Sequence, residues 1–128
     1  MLHPNQFEVN EAWIAFRLNN VPIRTEQDGD LNCLALMDAA SCFILGIALV
    51  PATAAEPTRP QVLQLMESAQ RHKGQWPRTL FIPQEDAGDC LTREATQQNI
   101  DVVRVPESEL LVFLEDARQG FAERFEGI

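Results

Sequence analysis

LNCLALMDAASCFILGIALVP, residues 31–51 of a 128-residue chain, is the stretch from which the fold is read. It holds two apolar runs, 31–37 and 42–50, separated by the small polar step Asp38-Ala39-Ala40-Ser41. Each run is too short for an independent helix, so the stretch reads as a β-hairpin. Both runs are apolar throughout rather than alternating, which predicts strands covered on both faces and central in a sheet carrying helices. Upstream, residues 12–23 set Trp13, Ala15 and Arg17 against Ile14, Phe16 and Leu18, a strand-like alternation. Pro22 has no amide to donate, so this strand should bend or end there, at a sheet edge. Asp28-Gly29 supplies positive φ for a tight turn, and the first three strands are therefore expected as an antiparallel meander. Residues 1–10, polar with scattered Phe7 and Val9, read as either a loosely held arm or a short helical lead.

Downstream, residues 58–73 place Val62, Leu63, Met66 and Ala69 at helix spacing. Pro60 suits a first turn, Arg71, His72 and Lys73 suit the carboxyl end of a helix dipole, and Gly74 can close it. Residues 78–83 form a short buried strand, and Asp86 is a possible cap for a helix running to about residue 98 through Leu91 and Ala95. Residues 100–106 read as a fifth strand. A last helix over 108–125 places Leu110, Leu114, Ala117, Phe121 and Phe125 on one face, with Gly120 weakening it by about 1 kcal/mol relative to alanine. The expected fold is α/β: a five-stranded mixed sheet in the order β-β-β-α-β-α-β-α, with right-handed crossovers between parallel strands.

One domain spanning 1–128 fits the length. A net charge of -9 makes the surface a poor partner for phosphate backbones, and Arg17, Arg24, Arg59, Arg71, Lys73 and Arg78 are scattered without forming a basic track. No nucleic-acid partner is expected. Cys33, Cys42 and Cys90 form no CxxC pair and read as reduced thiols, which suits the cytoplasm. No apolar run approaches the roughly 20 residues of a membrane span, and no basic start followed by an apolar block marks a signal peptide.

The element order over residues 13–105, together with the hairpin MDAASCFILGIAL, resembles the ribonuclease H-like fold of retroviral integrase and transposase cores. In those enzymes a hairpin carries an aspartate, small residues and a serine before the next strand; bacterial domains carry hairpins of this kind as well. The resemblance implies carboxylates holding two divalent ions for phosphoryl transfer. It places the first near Phe16 and Arg17, the second near Pro83 and Gln84, with Glu85 and Asp86 just beyond, and a third on the last helix, at Glu109 or Glu115. Asp38 matches the hairpin aspartate, a turn residue in that family. Phe16 and Arg17 are not metal ligands, so the resemblance supports the fold and argues against nuclease or integrase activity.

Glu85, Asp86 and Asp89 are the candidate metal ligands, because they lie after a strand and before a helix, where α/β sheets open crevices, and carboxylate oxygens suit magnesium or calcium. The helix dipole accounts for the same residues without a ligand. Asp28 and Asp30 about Gly29 form part of a calcium-loop pattern whose remaining ligands are missing, so they read as a turn. Cys33 and Cys42 read as small core hydrophobes. Cys90 near a helix start is a candidate nucleophile, although His3 and His72 are remote in sequence. Trp76 reads as a lid on the core. The candidate catalytic residues are thus Glu85, Asp86, Glu115 and Cys90, and no cofactor is implied. The leading expectation is a non-catalytic domain that contacts another protein or a second copy of itself, through an exposed edge at the first strand or an apolar patch near Trp76. The alternative is a metal-dependent phosphoryl-transfer enzyme with an atypical carboxylate site.

Overall fold

A computed structural model describes residues 1–125. Six strands and three α-helices follow in the order β1 (Ala12–Arg17), β2 (Ile23–Arg24), β3 (Asp30–Asp38), β4 (Ile44–Pro51), α1 (Arg59–Gln70), β5 (Thr79–Pro83), α2 (Asp89–Gln97), β6 (Asp101–Val105) and α3 (Leu111–Phe125). The sheet is mixed: β1 pairs antiparallel with β3 and parallel with β5, β5 pairs parallel with β6, and β3 pairs antiparallel with β4. The strand missing from the sequence reading is β2. Pro22 does interrupt the first strand, but the chain rejoins the sheet for two residues, pairing Ile23 with Leu31 through the turn at Gly29 (φ 72°).

Two cores lie on opposite faces of the sheet. Trp13, Ala15, Leu36 and Leu80 pack beneath α1 and α2, while Ile14, Phe16, Met37 and Phe81 pack beneath α3. Successive side chains of β1 enter both cores, which is why its apolar run is continuous. This corrects the edge position expected for that strand: β1 is flanked by β3 and β5 and is buried from Ala12 to Phe16. The hairpin needs the opposite correction. β3 is central as expected, but β4 is an edge with no strand beyond β3. Leu45 faces the α1 core and Gly46 lies under Leu65, yet Ile47 and Leu49, on the other face, are 55% and 49% exposed. Cys42, expected in the strand, sits in the turn with φ 60° and is half-buried.

The helices start where side chains satisfy their first amides. Thr58 and Gln61 form a reciprocal capping box on α1, with Pro60 in its first turn, and Gly74 (φ 68°) follows its end. The buried stripe is Val62, Leu65, Met66 and Ala69; Leu63, expected in it, is exposed. At α2 the residue before the first turn is Gly88 rather than Asp86, and the Asp89 amide donates to Glu56 Oε2 instead (3.1 Å). A 3-10 turn, Glu107–Leu110, precedes α3, whose buried residues include Phe113 as well as the expected Leu114. The Phe125 side chain lies outside the described residues.

Residues 1–11 resolve into the helical alternative. Pro4–Gln6 is a 3-10 turn, the Leu2 amide donates to Glu109 O (3.0 Å), and the Phe7 ring packs edge-on to Phe81 at 5.8 Å. Trp76 is half-buried and edge-on to Trp13 at 6.1 Å, which makes it the lid that was expected and removes it as an exposed patch.

Candidate functional site

Parallel pairing of β1 and β5 sets their carboxyl ends side by side, the place where the sequence resemblance implies a carboxylate site. A cleft of about 250 Å³ opens there, lined by Arg17, Asn32, Glu56, Glu85, Asp86 and Leu91 among others. Beside it, the guanidinium of Arg104 on β6 donates to the carbonyls of Pro83 and Asp86 and so fixes the β5–α2 loop. Glu56, from the β4–α1 connection, closes one side by capping α2.

Glu85 and Glu56 at this cleft already accept main-chain amides. Glu85 Oε1 accepts the amide of Glu107 (2.9 Å) and so starts the 3-10 turn before α3. Asp86 is half-buried. Burial pushes its carboxyl above the ordinary carboxylate range; Glu107 and Glu85 push the same way, while Arg17 and Arg118 oppose them. Arg118, from α3, pairs with Glu107 and donates through Nε to the Arg17 carbonyl (3.0 Å). The result is a mixed cluster of two arginines and three carboxylates that joins β1, the β5–α2 loop and α3. Among the described residues no three His, Cys, Asp or Glu side chains come together in a way that could hold a metal ion.

The structure brings Glu85 and Asp86 to the cleft but not the other candidates. Asp89 is exposed in the first turn of α2, and Cys90 beside it is buried in the core beneath the sheet. Glu109 pairs with the Met1 amino group (3.0 Å), and Glu115 is exposed on α3. The carboxylate that the end of the chain does contribute near Asp86 is Glu107, which sequence reading passed over. Arg17 and Arg118 are 101 residues apart, and no local pattern links them. Phe16 is fully buried under α3. Asp38 is buried at the hairpin, where its carboxylate accepts the amides of Asn10 and Ser41 and the Ser41 hydroxyl. Of the other thiols, burial raises Cys33, and burial with the nearby Asp38 and Asp116 raises Cys42, so neither is disposed to be a thiolate.

The Asp86 shift has a testable sign. Because the folded-state pKa lies above the unfolded value near 3.8, the folded protein binds more protons between the two, and stability falls as pH rises through that window. Asp86→Asn is therefore expected to raise the melting temperature at neutral pH, with the gain shrinking as the pH drops toward the ordinary carboxylate pKa. Melting curves across pH 3–8 check this; a neutral-pH loss of stability, or a gain independent of pH, contradicts the burial argument.

No protein-family model matches the chain, and no curated protein matches it in sequence. Solved structures do match its fold. The catalytic core domain of HTLV-2 integrase in complex with magnesium superposes in its dimeric form with a TM-score of 0.59 at 11% identity, covering 91% of this chain and 69% of that one. In its trimeric form the TM-score is 0.60 at 11% identity, with 90% and 68% covered. The simian T-cell lymphotropic virus intasome in complex with the PP2A regulatory subunit B56 gamma matches at a TM-score of 0.59 and 12% identity, covering 90% of this chain and 39% of that one. The architecture is therefore the ribonuclease H-like fold of integrase cores. No helix among the described residues is long and apolar enough to cross a membrane.

Proposed function

We propose that this chain is a non-catalytic domain of integrase-core-like fold that acts by protein contact, with a second copy of itself or with another protein. The observation that carries this reading is the state of the cleft between β1 and β5. Where the resemblance implies metal-ligating carboxylates, β1 presents buried Phe16 and then Arg17, and β5 ends in Pro83, with Gln84 following it. Of the carboxylates at the cleft, Glu85 and Glu56 accept main-chain amides and Asp86 is half-buried within the field of Arg17 and Arg118, while Glu107 beside them pairs with Arg118. Such a cluster braces three elements against one another, and its guanidinium groups stand where cations would otherwise be attracted. Self-association is supported by the similar integrase cores, which are described in dimeric and trimeric forms. The net charge of -9 favours protein over nucleic-acid partners. In the same reading, residues 1–128 form one domain that works in the cytoplasm.

The test is a magnesium and manganese titration followed by thermal melting, run beside a cleavage assay on single- and double-stranded DNA and RNA. A ligand that binds only the native state raises its stability by mass action, so the expected result is an unchanged melting temperature and no cleavage. Metal-dependent cleavage that is lost in Asp86→Asn would falsify the proposal and establish the phosphoryl-transfer alternative.

A further inference from the structure

The two edges of the sheet differ in how open they are to another chain. β6 has five residues and carries Asp101 and Arg104; short, charged edge strands resist pairing. β4 has eight residues, ILGIALVP, and no charge occurs anywhere from 39 to 55. Its exposed face presents Ile47 and Leu49, with Phe43 56% exposed at the hairpin end.

The hydrogen-bond phase of β4 says which main-chain groups face outward. The Ala52 amide donates to Asp30 O (2.8 Å), and the Leu18 amide donates to Cys33 O (2.8 Å), so Cys33 turns its groups toward β1 rather than β4. Cα pairing sets Cys33 opposite Leu49 and Ala35 opposite Ile47. The antiparallel alternation then directs the main-chain groups of Ala48 and Val50 onto β3 and those of Ile47 and Leu49 away from the sheet. The Gln61 side-chain amide already satisfies the Leu49 carbonyl (2.9 Å), as expected for an outward group. Pro51, two residues on, has no amide to offer. Pairing along this edge is therefore stopped at its carboxyl end and left open about Ile47.

We infer that β4 pairs antiparallel with β4 of a second copy of this chain across a two-fold axis at Ile47. This rests on the protein-contact reading above and gives it a surface and a partner. A residue that turns both its N–H and its C=O outward exchanges both bonds with its own symmetry mate, so the edge is self-complementary. In that register the apolar Ile47 side chains meet at the axis. Charge selects the same place. Two copies that each carry -9 repel over most of their surfaces, whereas the uncharged stretch 39–55 lets them approach without opposed like charges. A hollow of about 460 Å³ on the same face, between α3 and the hairpin and lined by Met37, Ile44 and Phe113 among others, extends the apolar ground beside the strand.

The experiment compares wild type, Ile47→Lys and Val103→Lys by sedimentation and light scattering. Wild type is expected at twice the 14.4 kDa chain mass and Ile47→Lys at the single mass. Val103→Lys, on the exposed face of the opposite edge, is expected to stay dimeric. Unchanged circular dichroism of Ile47→Lys separates lost pairing from lost folding. Ile47→Cys with a short thiol cross-linker provides a second measurement: a covalent dimer is expected that wild type does not give. Raising salt is expected to strengthen the dimer, because repulsion between acidic copies is screened within about 10 Å at 0.1 M and the contact holds no ion pair to lose. A dimer that survives Ile47→Lys overturns this surface while leaving self-association standing. A monomeric wild type overturns the second copy as occupant and leaves the strand to a foreign chain. Failure of the functional reading shows separately, as metal-dependent cleavage.

Discussion

Replacing Phe113 with alanine is expected to lower the unfolding free energy by about 3–5 kcal/mol, the usual range for deleting a buried aromatic side chain. Phe113 is 1% exposed and sits in the α3 core with Ile14, Phe16, Met37 and Phe81, its ring 6.3 Å from that of Phe7. One wall of its site is the sheet, whose hydrogen-bonded strands cannot shift inward to close a gap; the other is the short amino-terminal turn. The vacated volume would join the existing hollow beside α3 and strip contacts from Phe7 as well. Because domains are typically stable by only about 5–15 kcal/mol, this one change would remove much of the margin. Urea unfolding should show the midpoint falling with the slope unchanged. A loss below about 1 kcal/mol would mean that α3 is not what holds this face.

Asp38→Ala is expected to destabilise by about 1–3 kcal/mol, since it removes the acceptor of three part-buried hydrogen bonds at once. One carboxylate oxygen accepts the Asn10 amide at 2.7 Å, and the other accepts the Ser41 amide at 2.9 Å and the Ser41 hydroxyl at 2.7 Å. Asn10 in turn accepts from the Trp13 indole (2.8 Å) and donates to Gln75 O (3.2 Å). The aspartate thus ties the amino-terminal segment and the β3–β4 turn to the start of β1. Ser41→Ala removes only a hydroxyl and should cost about 1 kcal/mol, so the difference between the two variants measures the amide bonds. If both variants melt alike, Asp38 is not the tie described here. These bonds give it a structural part in the hairpin.

Much of the architecture was legible because it is written in local patterns. The hairpin, the turn at Gly29, Pro60 in the first turn of α1, and the alternation of β1 all concern residues close in sequence. The misreadings share a cause, which is that neighbours across the sheet leave no local mark. Pro22 predicts an edge position for the first strand, yet β5 pairs with residues ahead of it, from Ala12 to Ile14. Leu63 is the exception, since the spacing Val62, Leu65, Met66, Ala69 marks one helix face within the sequence itself and leaves Leu63 off it. Asp86 looked like a cap, but Glu56 arrived from 33 residues upstream to do that work.

The candidate cleft divides the same way. Its two sequence-derived residues, Glu85 and Asp86, do stand at the strand end where α/β sheets open. Their chemistry was set by Arg17, Glu107 and Arg118, brought in by β1 and α3 from opposite ends of the chain. Residue order alone determined the α/β class, the kinds of element and the acidic exterior, because these follow from periodicity, turn chemistry and composition. Tertiary structure decided which strand became the open edge and which charges met at the cleft, because both depend on contacts between segments far apart in the chain.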